Sequence, residues 1–113
     1  MKTKSVLSAL ASLAQESRLA IFRALVRAGP AGLAAGVLAK RIGVSPSSLS
    51  FHLKELVHAD MVSASPDGRF IIYTANFSAM NDLVAFLTEN CCGGNPCTSV
   101  RVPVCSTKEK ETP

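Results

Sequence analysis

The first ninety residues of this 113-residue chain contain no cysteine; all four, Cys91, Cys92, Cys97 and Cys105, come late. Other absences narrow what the chain does. No apolar run approaches the roughly 20 residues that a bilayer span needs, so no membrane crossing is expected. The cysteines lack the paired C-x2-C knuckles of a four-cysteine structural zinc, and no C-x-x-C redox motif is present. There is no nucleophile–base pair, and Gly93-Gly94 lacks the flanking strand and helix of a phosphate-cradling loop. Catalysis is therefore not expected, and no resident cofactor is called for. Internal repeats are also absent.

Acidic residues are in the minority: eight Asp and Glu against twelve Lys and Arg give a net charge of +4, a balance compatible with nucleic acid without deciding for it. Hydrophobic residues make up 48 % of the chain and mean hydropathy is +0.28. Apolar surface beyond that of one small core is the expectation, and self-association is the common way to cover it. The N-terminal "MKTKSVLSALASLAQ" imitates a secretion leader, but Ser8 and Ser12 interrupt it and Leu7, Leu10 and Leu13 read as one stripe of an amphipathic helix. A cytoplasmic address is expected instead, where thiols stay reduced and serve as ligands or sensors.

Helical periodicity predicts a first helix over about 5–14 and a second in "ESRLAIFRALVRAG", with Leu19, Phe22, Leu25 and Val26 on one face and Gly29-Pro30 ending it. A short helix follows over about 33–42. Gly43 turns the chain, and Ser45 stands as N-cap before Pro46 at the first position of the next helix. There Leu49, Leu53 and Leu56 mark a buried face, leaving Ser47, Ser48, Ser50, His52 and Lys54 to solvent or a partner. Two short helices joined by a glycine turn form a helix-turn-helix pattern. Around Pro66-Asp67-Gly68 two β-prone runs predict a hairpin, with Arg69 beside its tip, and a hairpin after a helix-turn-helix is a wing. "FSAMNDLVAFLTEN" returns to helical period, with Ser78 as a possible cap. The fold class read from this order is mainly α with a β-hairpin wing, a winged helix-turn-helix. It divides into a winged helix-turn-helix domain over 1–90, for which the resemblance below implies DNA binding and dimerisation, a cysteine-bearing loop over 91–105 and a tail over 106–113 expected to be disordered.

This order, with "ESRLAIFRAL", "SPSSLSFHLKELVHADMV" and the "S-x-H-L-x-x-L" core at Ser50, His52, Leu53 and Leu56, resembles the ArsR/SmtB family of metal- and metalloid-responsive repressors. The resemblance implies a homodimer built from the first and last helices. It also implies a recognition helix over about 45–58 and release of operator DNA when an inducer binds. In that frame Ser47, Ser48, Ser50 and His52 are expected to face the major groove, with Lys54 beside them and Ser45 serving the groove or the cap. Arg69 on the wing and Arg41 before the turn are the expected phosphate or minor-groove contacts. Two sites familiar in the family are missing from this chain. "LAAGVLAKRIG" has no cysteine, and the last helix offers Asp82 and Glu89 but no histidine. The chain resembles members whose arsenic-binding cysteines lie elsewhere, just beyond the last helix.

Soft thiolates argue against magnesium, calcium or manganese. Trivalent arsenic and antimony take three thiolates in a pyramid, which suits Cys91, Cys92 and Cys97, with Gly93-Gly94 and Asn95-Pro96 turning the chain back on itself. Cys105 lies eight residues further on and is read as auxiliary. The expected function is an arsenic(III)- or antimony(III)-responsive repressor of operator DNA. A thiol-redox or zinc/cadmium-responsive regulator of the same fold, and a methylarsenite-selective repressor using two cysteines, remain alternatives.

Overall fold

The computed structural model describes residues 1–94; Cys97, Cys105 and the tail over 106–113 lie outside the described residues. Five α-helices and a small sheet follow one another as α1 (Thr3–Leu13), α2 (Glu16–Ala28), β1 (Leu33–Ala34), α3 (Ala35–Ile42), α4 (Pro46–His58), β2 (Val62–Asp67), β3 (Phe70–Ala75) and α5 (Phe77–Leu87). The sheet is antiparallel in the order β1-β3-β2. The helical body, helix-turn-helix and wing expected from the pattern are all present.

One core joins them. Val6 and Ala9 of α1, Ile21, Phe22 and Leu25 of α2, Leu38 of α3, and Leu49, Leu53 and Leu56 of α4 are buried together. Met61 and Val62 at the entry to the wing, Ala75 at its exit, and Phe77 and Leu83 of α5 complete it. Each Val, Leu, Ile, Phe or Met side chain among them contributes about 1.5–3 kcal/mol on burial. The wing is anchored at its base and exposed along its length, since β2 is buried only at Val62.

Several local expectations shift. On α1 the buried positions are Val6, Ala9 and Ser12, so the stripe of Leu7 and Leu10 faces outward and Leu13 is only half-buried. On α2 the buried arc centres on Ile21 and Leu25, which leaves Leu19 46 % exposed. Ser78 does not cap α5. Asn76 does, its side-chain oxygen accepting from the Ala79 N–H at 3.1 Å while its amide donates to the Asp60 carbonyl at 2.8 Å. The hairpin loop sits one residue later than expected. Asp67 pairs with Phe70, so the two loop residues are Gly68, at φ 64, and Arg69, which occupies the tip itself. Pro66 lies within β2, where an edge strand accommodates the missing N–H.

The strand β1 was not legible as such: residues 33 and 34 begin the expected helix, but they pair with β3 through Leu33–Tyr73 and Ala34–Ile72. Gly32 makes this possible. Its φ is 70 and ψ −171, a region essentially confined to glycine. A Cβ there would strike the Tyr73 carbonyl oxygen and sit 2.7 Å from Thr74 Oγ1 and 2.8 Å from Ile72 Cγ2. Gly32→Ala should therefore destabilise the fold by about 2 kcal/mol or more, read as a fall in Tm of roughly 8 °C or more by circular dichroism.

Candidate nucleic-acid interface and cysteine site

The turn between α3 and α4 sets the proposed reading helix. Ser45, in extended conformation, accepts the Ser48 N–H at 3.2 Å and donates to Ser48 Oγ at 3.1 Å, and its Oγ lies 3.3 Å from that of Ser47. Ser45 is thus committed to capping, with Pro46 behind it in the first turn. With Leu49, Leu53 and Leu56 buried, a rotation of about 100° per residue places Ser47, Phe51, Lys54 and His58 on the opposite face, and all four are exposed. Ser48 and Ser50 are exposed too, but they flank this face on different sides, as residues two apart do.

His52 departs from the expected solvent-facing set. It is half-buried, its Nδ1 lies 3.4 Å from an Arg18 guanidinium nitrogen, and Arg18 Nε donates to the Ser12 carbonyl at 2.7 Å. Guanidinium only donates, so in this long contact Nδ1 of His52 is on the accepting side. The His52 ring also meets Phe51 edge-on, with centroids 5.7 Å apart and planes at 66°. Phe51 itself is 59 % exposed. A phenylalanine within a helix carries no local signal of exposure, and it is the burial of Leu49, Leu53 and Leu56 that turns this one outward.

Arg41, exposed on α3, borders a hollow of roughly 390 Å³ together with Arg23 and Arg27 of α2. The last two were legible only as a polar helix face; their convergence with Arg41 comes from the packing of α2 on α3. Lys54 and His58 line a second hollow between α4 and the wing, closed below by Leu53, Val57 and Tyr73.

Cys91 and Cys92 do not ride the last helix. It ends at Leu87 with Thr88 as C-cap, and the Thr88 hydroxyl donates to the Val84 carbonyl at 2.8 Å. A tight turn follows, held by Cys91 N–H to Thr88 O and Gly93 N–H to Asn90 O, both at 3.0 Å. Asn90, Cys92, Gly93 and Gly94 all have positive φ. Cys91 is half-buried, Cys92 is exposed, and their Sγ atoms lie 3.7 Å apart. At a thiolate–metal distance of about 2.3 Å, that separation corresponds to an S–ion–S angle of about 107°, whereas a disulfide requires about 2.05 Å. Among the described residues no group of three Cys, His, Asp or Glu converges on one point.

Comparison with known proteins places this geometry in a class. A family described as "Helix-turn-helix domain" matches residues 13–63. The structure of an ArsR-like transcriptional regulator from Rhodococcus sp. RHA1 superposes with a TM-score of 0.66 at 31 % identity, covering 74 % of this chain and 76 % of that one. HlyU from Vibrio cholerae N16961 superposes with a TM-score of 0.64 at 26 % identity, over 81 % of this chain and 99 % of that one. The nodulation protein NolR of Rhizobium meliloti is 32 % identical over 80 residues, 71 % of this chain, and the chain spans 63 % of that relative's length. The chain belongs to the ArsR family of winged-helix transcriptional regulators.

The Ser45 cap tests how tightly the turn governs α4. Ser45→Ala removes the acceptor of the Ser48 N–H and should cost about 1 kcal/mol in urea unfolding, with the m-value unchanged.

Proposed function

We propose that the chain is a dimeric, operator-binding repressor released from DNA when trivalent arsenic or antimony is captured by Cys91, Cys92 and Cys97. The observation that carries the inducer site is the 3.7 Å separation of two sulfurs on a turn just past the last helix. Two sulfurs already stand at the spacing one ion bridges, and a third cysteine, Cys97, follows within a few residues of chain.

The exposed outer face of α4, the Arg69 wing tip and Arg41 with its arginine neighbours support the DNA-binding reading. The apolar side chains that this fold leaves outside support a dimer. Leu7 and Leu10 on α1 are 61 % and 39 % exposed, Leu87 on α5 is 59 % exposed, and the two helices lie side by side. Two reading helices then meet half-sites about one turn of DNA, roughly 34 Å, apart. Ion capture pulls on the turn that follows the Thr88 cap, and so on the end of a helix in the proposed interface, which alters the separation of the two heads.

The same sulfur pair also supports a second reading, a thiol-redox switch, because closing 3.7 Å to a disulfide needs only a local movement. The two are separated by one titration. Duplexes enriched from random sequence by the reduced protein are labelled and followed by fluorescence anisotropy while arsenite, antimonite, zinc, cadmium or peroxide is added. Near-stoichiometric arsenite or antimonite should weaken binding at least tenfold, within the usual range of allosteric coupling, and the double variant Cys91→Ser, Cys92→Ser should bind the duplex but ignore both. Release by peroxide alone selects the redox switch. Binding should also weaken steeply between 50 and 200 mM salt, as phosphate contacts require.

A further inference from the structure

We infer that Phe51 determines sequence specificity, by packing against the 5-methyl group of thymine in the major groove. The inference rests on the DNA-binding reading above and adds a base preference to it.

Phe51 occupies the middle of the outer face of α4, with Ser47 one turn before it and Lys54 one turn after, and it is 59 % exposed. Its surroundings on that helix are serines, lysine, glutamate and histidine, so no apolar cluster shares it. The core is supplied by Leu49, Leu53 and Leu56 on the other side, and the exposed leucines that suit a dimer lie on α1 and α5. A phenyl ring neither donates nor accepts, so it ignores the polar pattern of a base edge. The one apolar group that the major groove presents is the thymine methyl. The small side chains of Ser47 and Ser50 let the helix approach the bases closely enough for that contact.

The ring is also held in place before DNA arrives. It abuts His52 edge-on at 5.7 Å; His52 lies 3.4 Å from Arg18; and Arg18 is fixed by its 2.7 Å hydrogen bond to the Ser12 carbonyl. An aromatic side chain steadied in this way loses little freedom on binding, which is the condition under which a single apolar contact discriminates.

The test uses the full-length reduced protein and the duplex it enriches from random sequence. Each thymine of that duplex is replaced in turn by deoxyuridine, which removes the methyl and nothing else, and affinity is measured by anisotropy. One position in each half-site should lose about fourfold per half-site, the worth of one buried methyl-sized group. Phe51→Ala should bind the thymine duplex correspondingly less well, be indifferent to deoxyuridine at that position, and keep the wild-type melting temperature within a few degrees because the side chain is largely exposed. Phe51→Leu should retain part of the methyl sensitivity. Wild-type protein that binds every deoxyuridine duplex as tightly as the parent overturns the inference and leaves the repressor reading intact; so does a Phe51→Ala protein that keeps the methyl preference. Failure to enrich any duplex removes both.

Discussion

What the exposed face of α4 presents depends on how that helix is seated. Leu49, Leu53 and Leu56 are almost wholly withdrawn from water against Ile21, Leu25 and Leu38. Burial of one arc of a helix fixes its rotation about its own axis, so the identity of the outward residues is decided from inside. The Ser45 cap and Pro46 fix where the helix begins, which sets its position along the axis as well. Side chains that do no packing at all thus inherit their placement from three leucines and a serine.

The elements that were legible in the sequence are those whose signals are local and redundant. Ser45-Pro46, the leucine spacing of α4 and the glycine of the hairpin turn, Gly68, each carry their meaning within a few residues. The misreadings arose where tertiary context overrides a local signal. Leu7, Leu10 and Leu19 look like core because they are leucines at helical spacing, but the neighbouring elements cover Val6, Ala9 and Ile21 instead. Ser78 and Asn76 are both good caps, and the choice between them fell to the residue whose amide also reaches the Asp60 carbonyl across the base of the wing. β1 has only two residues and no period of its own; it exists because β3 offers an unpaired edge.

The candidate sites divide along the same line. Ser47, Lys54, Arg41 and Arg69 were identifiable by type and position, and the structure finds them exposed. The turn of His52 toward Arg18 was not, since it joins residues 34 apart in sequence. The crowding of cysteines late in the chain was visible as composition, but the end of α5 at Leu87, four residues before Cys91, places the sulfurs of Cys91 and Cys92 on a self-contained turn. Positive φ at Asn90 and Cys92 as well as at the glycines gives that turn a backbone path quite unlike the helix before it.

The short strand β1 changes what kind of object the wing is. A hairpin tied only at its two ends swings on them as a flap; here β3 is also sewn to the helical body through Leu33 and Ala34, immediately before α3 begins. The strand that leads into α3 and the strand that carries the wing are thereby one ladder. On the DNA-binding reading proposed above, Arg69 and the outer face of α4 reach a duplex from one hydrogen-bonded frame, not from two separately hinged parts.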